Sequence, residues 1–227
     1  MKRFWTEVTI GADRGIALDA RPVRTPARTP LTLPTDALAA AVAAEWRAVA
    51  GEIDPRAMPM TGLANAAIDR VSADRAGFAA GLARYAENDL LCYRADAPAD
   101  LVDRQAAQWD PPLGWARHRY DVRLAVTAGI VHVAQPPATI ARLAAAIAAA
   151  DAFALAALSP VVTITGSLVL ALALYERAMT PDAIWDAAHV DETWQAERWG
   201  EDALAARTLA ANRAHYDAAA RFLSALG

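Results

Sequence analysis

One uncharged stretch in the second half of the chain limits the possible folds more than any other feature. From Ala152 to Tyr175 no residue is charged, and about 20 consecutive apolar residues are enough to span a bilayer. Pro160 interrupts the stretch, and the polar cluster that ends at Ser167 supplies a new helix start. Lys and Arg are not concentrated on one flank. We therefore expect no membrane span but two buried helices, residues 138–158 and 167–178, with the second at the centre of the core.

The N-terminal residues have a different pattern, which predicts β-structure. Apolar and polar residues alternate from Phe4 to Ile10, with Phe4 and Val8 on one face and Trp5 on the other. Short strand-like segments follow, separated by glycines and by prolines, which protect sheet edges because they lack an N–H donor. The pattern predicts a small antiparallel β-domain over residues 1–34.

Helical signals dominate everything after Pro34, so we expect a larger all-helical domain over residues 35–227 and an α+β fold. Thr180 and Pro181 form a cap and first-turn pair that opens a helix. Gly200 should end the next helical segment, and Asp202 should start a long last helix whose apolar side includes Leu204 and Leu209. We also expect the adjacent prolines at 111–112 to interrupt the helix that begins near residue 98.

Composition excludes several classes of function. The 227 residues suit one large domain, and a net charge of −4 without a basic stripe argues against nucleic acid as a partner. The apolar neighbours of Cys92, the single cysteine, indicate that its thiol is buried. A chain with one cysteine forms no internal disulfide, which is typical of a reducing compartment. The first ten residues contain no apolar signal-peptide core. We expect a cytoplasmic protein that is a monomer when free.

A search for catalytic motifs yields one weak candidate. The chain has neither a glycine-rich phosphate loop nor a G-x-S-x-G elbow. His189 and Glu192 are three residues apart on one predicted helix, and His215 lies on the last helix. A metal-dependent helical enzyme built on these three residues is therefore one alternative function, although the doubled ligand pattern of helical metal sites is missing.

The segment from Ala187 to Asp202 combines tryptophans with acids, which favours protein binding. Large aromatic side chains are costly to expose, and acids are costly to bury without partners. Such a segment should have one packed side and one presented side, and tryptophans often anchor interfaces. The candidate partner-binding residues are Asp191, Glu192, Trp194, Glu197 and Trp199. A general protein-binding adaptor is a second alternative function.

Eight segments, in order along the chain, carry a resemblance to a known family. They are RFWTEVTI from Arg3, RPVRTPARTPLTLPT from Arg21, AVAAEW from Ala41, LANAAIDRV from Leu63, YAENDLLCYRA from Tyr85, QWDPPLGWA from Gln108, GSLVLALAL from Gly166 and VDETWQAERWGED from Val190. Together they resemble the assembly chaperones that bind the free α subunit of F1-type ATP synthase, and the resemblance extends from end to end.

The resemblance implies a small β-domain followed by a helical domain, with no enzymatic activity and no cofactor. It implies that the partner is the unassembled F1 α subunit, which the chaperone protects from aggregation and hands over to the β subunit. It also implies a functional role for acids of the C-terminal motif, which fall at Asp191, Glu192 and, less directly, Glu197. The chain begins without a mitochondrial presequence, so it is more similar to bacterial members in the cytoplasm than to eukaryotic members in the mitochondrial matrix.

Overall fold

The computed structural model describes residues 2–129 and 131–227, and the chain divides into two compact units. The first unit contains the residues up to Arg75, residues 151–157 and residues 217–227. The second contains residues 76–150 and 158–216. The domain boundary that the sequence predicts at residue 34 coincides with the change from strands to helices, and it stays a prediction.

A three-stranded antiparallel sheet in the first unit confirms the expected N-terminal β-structure. The strands β1 (Val8–Ile10), β2 (Ile16–Leu18) and β3 (Arg21–Pro22) pair in the order β1-β2-β3. The predicted facing of the first segment is wrong, because Trp5 is buried at 3% exposure whereas Phe4 is 57% exposed. Trp5 packs edge-on against Trp46, a contact that local alternation cannot indicate.

The α-helices account for most of the remaining chain, as the α+β prediction requires. Their bounds are Asp36–Ala48 (α1), Pro59–Ala66 (α2), Arg75–Ala83 (α3), Ala99–Tyr120 (α4), Pro137–Ala148 (α5), Ala152–Thr165 (α6), Leu168–Tyr175 (α7), Pro181–Ala188 (α8), Val190–Trp199 (α9) and Ala203–Leu226 (α10). Shorter helical turns are Pro55–Ala57, the π-helical Ala67–Val71, Arg84–Asn88 and Leu90–Cys92.

The helical region is not purely helical, contrary to the expectation for residues 35–227. Strand β4 (Tyr93–Arg94) pairs in parallel with β5 (Thr127–Ala128). Parallel strands need a long crossover connection, and α4 supplies it here. The pairing therefore depends on residues far apart in the sequence, which local patterns do not indicate.

Helix α7 is buried along most of its length, which confirms it as a core helix. Its residues from Leu168 to Ala173 are almost inaccessible, and α4, α5 and α8 all contact it. The Ser167 hydroxyl accepts a hydrogen bond of 3.0 Å from the amide of Leu170, as a cap should. No helix in the described ranges has the length and hydropathy needed to cross a bilayer.

The proline-based helix boundaries were predicted wrongly. Helix α4 continues through Pro111 and Pro112, and α6 continues through Pro160. Each proline removes one donor, but buried residues such as Trp109 and Leu113 hold α4 against its neighbours on either side of the pair. The predicted single helix over residues 138–158 is instead two helices, α5 and α6, because Asp151 caps a new start by accepting from the amide of Ala154 at 2.8 Å.

Candidate functional site

The acid- and tryptophan-rich segment begins at a sharp break between α8 and α9. Thr180 caps α8 as predicted, accepting from the amide of Ala183 at 3.2 Å. His189 interrupts the helical path at the end of α8, with a φ of −122°. Its ring stacks on Trp185 with 3.8 Å between centroids, and its Nδ1 lies 2.9 Å from the Trp185 carbonyl oxygen. A carbonyl oxygen can only accept, so Nδ1 is the donor.

One side of α9 is fastened to α4 by hydrogen bonds and ion pairs. Trp194 Nε1 donates to Asp100 Oδ2 at 2.8 Å, and Arg198 pairs with the same carboxylate. Further along, Gln105 Nε2 donates to Asp191 Oδ1 at 2.7 Å. These contacts fix the orientation of α9 on the scaffold.

The carboxylates in this contact region are stabilised in their ionised form. The hydrogen bond from Trp194, followed by the one from Arg198, lowers the pKa of Asp100 below its ordinary value. Arg104 lies 2.6 Å from Glu197 and lowers the pKa of that carboxyl group in the same way. Both acids therefore stay charged at neutral pH and hold α9 against α4.

The opposite side of α9 forms a groove with the start of α10. Gly200 ends α9 with a φ of +84°, a conformation that favours glycine. Asp202 then caps α10 by accepting from the amides of Leu204 and Ala205 at 2.9 and 2.8 Å, as expected from its position. The cavity between the two helices has a volume of about 640 Å³. We call it the α9–α10 groove; its walls include Ile164, Gln195, Trp199, Leu204, Thr208 and Leu209.

The first part of α10 is apolar yet uncovered. Seven of the nine residues in 203–211 are Ala or Leu, but none of the nine is buried. Leu204, which the sequence places on the apolar side of the last helix, is 73% exposed, so this part of the apolar side is not buried. Farther along, Tyr216 and Phe222 are buried. A helix with an uncovered apolar start is a feature of a surface that receives another molecule.

The structure separates the five candidate binding residues into two groups. Glu192 and Trp199 line the α9–α10 groove, and Trp199 is 74% exposed. Asp191, Trp194 and Glu197 instead contact α4. Their partner-binding role stays a prediction, but the geometry assigns them first to holding α9 in place.

The alternative metal site lacks a ligand cluster. Within residues 2–129 and 131–227, no group of three or more His, Cys, Asp or Glu side chains is arranged to hold a metal ion. His189, Glu192 and His215 therefore do not form the predicted ligand set. Cys92 is buried, and burial raises the pKa of its thiol to about 12, which makes it a poor nucleophile.

The described residues thus combine an α+β scaffold with a groove lined by large apolar side chains and by the acids Glu192, Glu201 and Asp202. The sequence profile of the family described as ATP12 chaperone protein matches residues 2–117. The crystal structure of Atp12 from Paracoccus denitrificans is 42% identical, with a TM-score of 0.95, and the match covers 100% of this chain and 98% of that one. The chain belongs to the ATP12 chaperone family.

Two further structures agree with this membership. A mutant of P. denitrificans Atp12p is 41% identical with a TM-score of 0.95, and the match again covers 100% of this chain and 98% of that one. The Atu1473 protein of Agrobacterium tumefaciens is 39% identical with a TM-score of 0.94, covering 100% of this chain and 86% of that one. The likeness therefore includes the C-terminal helices that lie beyond the family profile.

Proposed function

We propose that this protein is an assembly chaperone for the F1 part of ATP synthase, and that it binds the unassembled α subunit. In this proposal it covers the subunit interface of α, prevents aggregation and then yields α to the β subunit. It acts as a monomer in the cytoplasm, without catalytic activity or a cofactor. Membership of the ATP12 chaperone family supports the chaperone role, and the resemblance of the sequence motifs supports the choice of client.

The observation that carries the proposal is the uncovered apolar surface around Trp199. Interfaces between subunits are apolar at their centres, and a subunit without its partners exposes such a patch to solvent. The exposed indole of Trp199 and the uncovered start of α10 offer an apolar surface of the same kind. Burying both patches against each other removes them from water, which is favourable at about 25 cal/mol per Å² of apolar surface.

Release to the β subunit requires that binding is not too strong. Charged groups at an interface set orientation and association rate more than affinity. Glu192 is exposed beside the groove, so it can pair with a cation of the client and lose that pairing without leaving a buried charge. Apolar contact area with exposed acids therefore supports binding that can be reversed by a competing subunit.

The test is co-purification combined with an aggregation assay. F1 α subunit, diluted from denaturant, should remain soluble in the presence of an equimolar amount of the protein, and the two should elute together until β subunit is added. The variant Glu192→Lys should weaken this protection, because it reverses an exposed charge beside the groove. Thr193→Lys, on the same helix and also exposed, is the matched control.

Failure of the wild-type protein to hold α in solution would exclude the proposed client. Capture of many unrelated proteins from a lysate, with no enrichment of α, would favour the general adaptor. A tightly bound metal ion at a stoichiometric amount in the purified protein would instead favour a metal-dependent enzyme.

A further inference from the structure

The α9–α10 groove has an electrostatic character that restricts what it can bind. Three acids line it, namely Glu192, Glu201 and Asp202, and none of the described residues that line it is Lys or Arg. Asp202 caps α10 through Oδ1, and its carboxylate keeps its negative charge at the groove wall. An acidic ligand would meet like charges here, whereas a basic ligand would meet opposite ones.

Beside the acids and the polar Gln195, Thr208 and Asn212, the groove presents large apolar side chains. Trp199, Leu204 and Leu209 supply the large apolar surfaces. Trp199 packs against Trp194 at 5.4 Å between centroids, and Trp194 is anchored through its hydrogen bond to Asp100. A pre-ordered aromatic side chain loses little conformational freedom on binding, which favours its use as an anchor.

One buried polar group adds a directional contact. His189 lines the groove and is only 6% exposed. Its Nδ1 donates to the Trp185 carbonyl, so in the neutral ring Nε2 is an acceptor. An N–H donor of a ligand that reaches Nε2 would find an acceptor there.

We propose that the α9–α10 groove takes a segment of the client chain in which large apolar side chains are flanked by Lys or Arg. The apolar side chains pack against Trp199 and Leu204, and the cations face Glu192, Glu201 and Asp202. A volume of about 640 Å³ suits one or two side chains of an extended or helical segment rather than a folded domain. The inference rests on the proposed function, because the segment belongs to the α subunit.

The test compares two labelled peptides that share the same Leu and Phe residues and differ only in their flanks, Lys in one and Glu in the other. Fluorescence anisotropy with the full-length protein should show the Lys peptide binding about tenfold more tightly at low salt. The difference should shrink as the salt concentration rises, because screening weakens exposed charge pairs. Equal affinity of the two peptides would overturn the inference.

Two matched variants locate the binding. Ala205 and Ala210 are both exposed alanines of α10, but only Ala205 lines the groove. Ala205→Lys should abolish the preference for the Lys peptide, whereas Ala210→Lys should leave it unchanged, with circular dichroism showing equal helicity. An identical effect of both variants would place the peptide elsewhere and overturn the inference.

Peptides taken from the α subunit distinguish a failure of this inference from a failure of the proposed function. Overlapping peptides that cover the α sequence should bind where apolar residues are flanked by Lys or Arg, and binding should be lost in Ala205→Lys. If the protein keeps α soluble but the peptides show no such preference, the groove inference is wrong and the chaperone function stands. If the Lys peptide binds more tightly but α is not kept soluble, the α subunit is not the client. The preference of the groove for apolar segments flanked by cations is then still supported.

Discussion

Trp199 meets Trp194 edge to face, with 5.4 Å between ring centroids and an interplanar angle of 88°. The two rings lie five residues apart on α9 but in opposite environments, since Trp194 is 5% exposed and Trp199 is 74% exposed. Trp194 also carries the guanidinium of Arg198 at 4.9 Å from its ring centroid. The buried indole therefore acts as the support on which the exposed indole rests.

Replacing each of the two tryptophans should separate stability from binding. Trp194→Ala removes a buried ring and its hydrogen bond to Asp100, so it should lower the free energy of unfolding by about 3–5 kcal/mol. Trp199→Ala removes an exposed ring and should change it by no more than about 0.5 kcal/mol, while weakening protection of the client. Urea unfolding measures the first effect and the aggregation assay the second. Equal loss of stability in both variants would contradict the division of roles.

Asp191 should act on stability through Gln105. The Gln105 side chain is 1% exposed, accepts from the amide of Ala95 at 2.8 Å and donates to Asp191 at 2.7 Å. Asp191→Ala leaves this buried donor without its acceptor, which should cost about 1–3 kcal/mol. Asp191→Asn keeps an acceptor oxygen and should restore most of the loss, as measured by denaturant unfolding. If Asn is as destabilising as Ala, the charge of Asp191 and not its hydrogen bond is what α9 requires.

Local signals in the sequence were enough to predict several structural features. Thr180, Ser167 and Asp202 were predicted to start helices, and each accepts a hydrogen bond from an amide two or three residues ahead. A helix cap depends on a few consecutive residues, so it can be predicted from the local sequence alone.

Features that depend on distant residues were not predictable in this way. The sequence gives no sign that Gln105 meets Asp191, because 86 residues separate them. The burial of Trp5 depends likewise on Trp46. The start of α10 does carry a sequence signal: apart from Arg207 and Thr208, residues 203–211 are Ala or Leu and surround most of the helix instead of forming one stripe, a pattern that a single buried face does not cover.

Glu45 should be needed for the start of α2. Its carboxylate accepts from the amides of Met60 and Thr61 at 2.7 and 2.8 Å, and from the Thr61 hydroxyl at 2.7 Å. No side chain within α2 caps these first-turn donors, so Glu45 on α1 replaces a local cap. Glu45→Ala should lower the free energy of unfolding by about 1–3 kcal/mol.

The control for this prediction is Glu52→Ala, which removes an exposed glutamate in the same unit. It should leave the denaturation midpoint almost unchanged. A similar midpoint for the two variants would mean that solvent satisfies the α2 amides as well as Glu45 does.

Asp89 should make the stability of the fold depend on pH. The carboxylate is fully buried beside the start of α7, and it accepts from the amides of Val169 and Leu91 at 3.0 and 3.2 Å. Burial raises the pKa of Asp89 from 3.8 to about 6, although the hydrogen bonds from Val169, Ser167 and Leu91 oppose this change. The desolvation of the charge therefore outweighs the stabilisation by its donors.

The sign of the pH effect follows from this raised pKa. Between pH 3.8 and about 6 the folded state holds a proton on Asp89 that the unfolded state has lost, so the contribution of this group to stability falls as the pH rises. The loss should reach about 3 kcal/mol by pH 7, which corresponds to the size of the pKa change. Asp89→Asn cannot ionise, so its destabilisation relative to the wild type should be larger at pH 4 than at pH 7.

Urea unfolding of the wild type and Asp89→Asn at pH 4, 5, 6 and 7 measures this difference, with other titrating groups cancelling between the two proteins. The control is Glu87→Gln, which neutralises an exposed glutamate close to Asp89. Its free energy of unfolding should change with pH in the same way as that of the wild type. A stability difference between the wild type and Asp89→Asn that is constant from pH 4 to 7 would show that Asp89 has the same charge state throughout this range. The hydrogen bonds at the start of α7 would then outweigh the desolvation of the carboxylate.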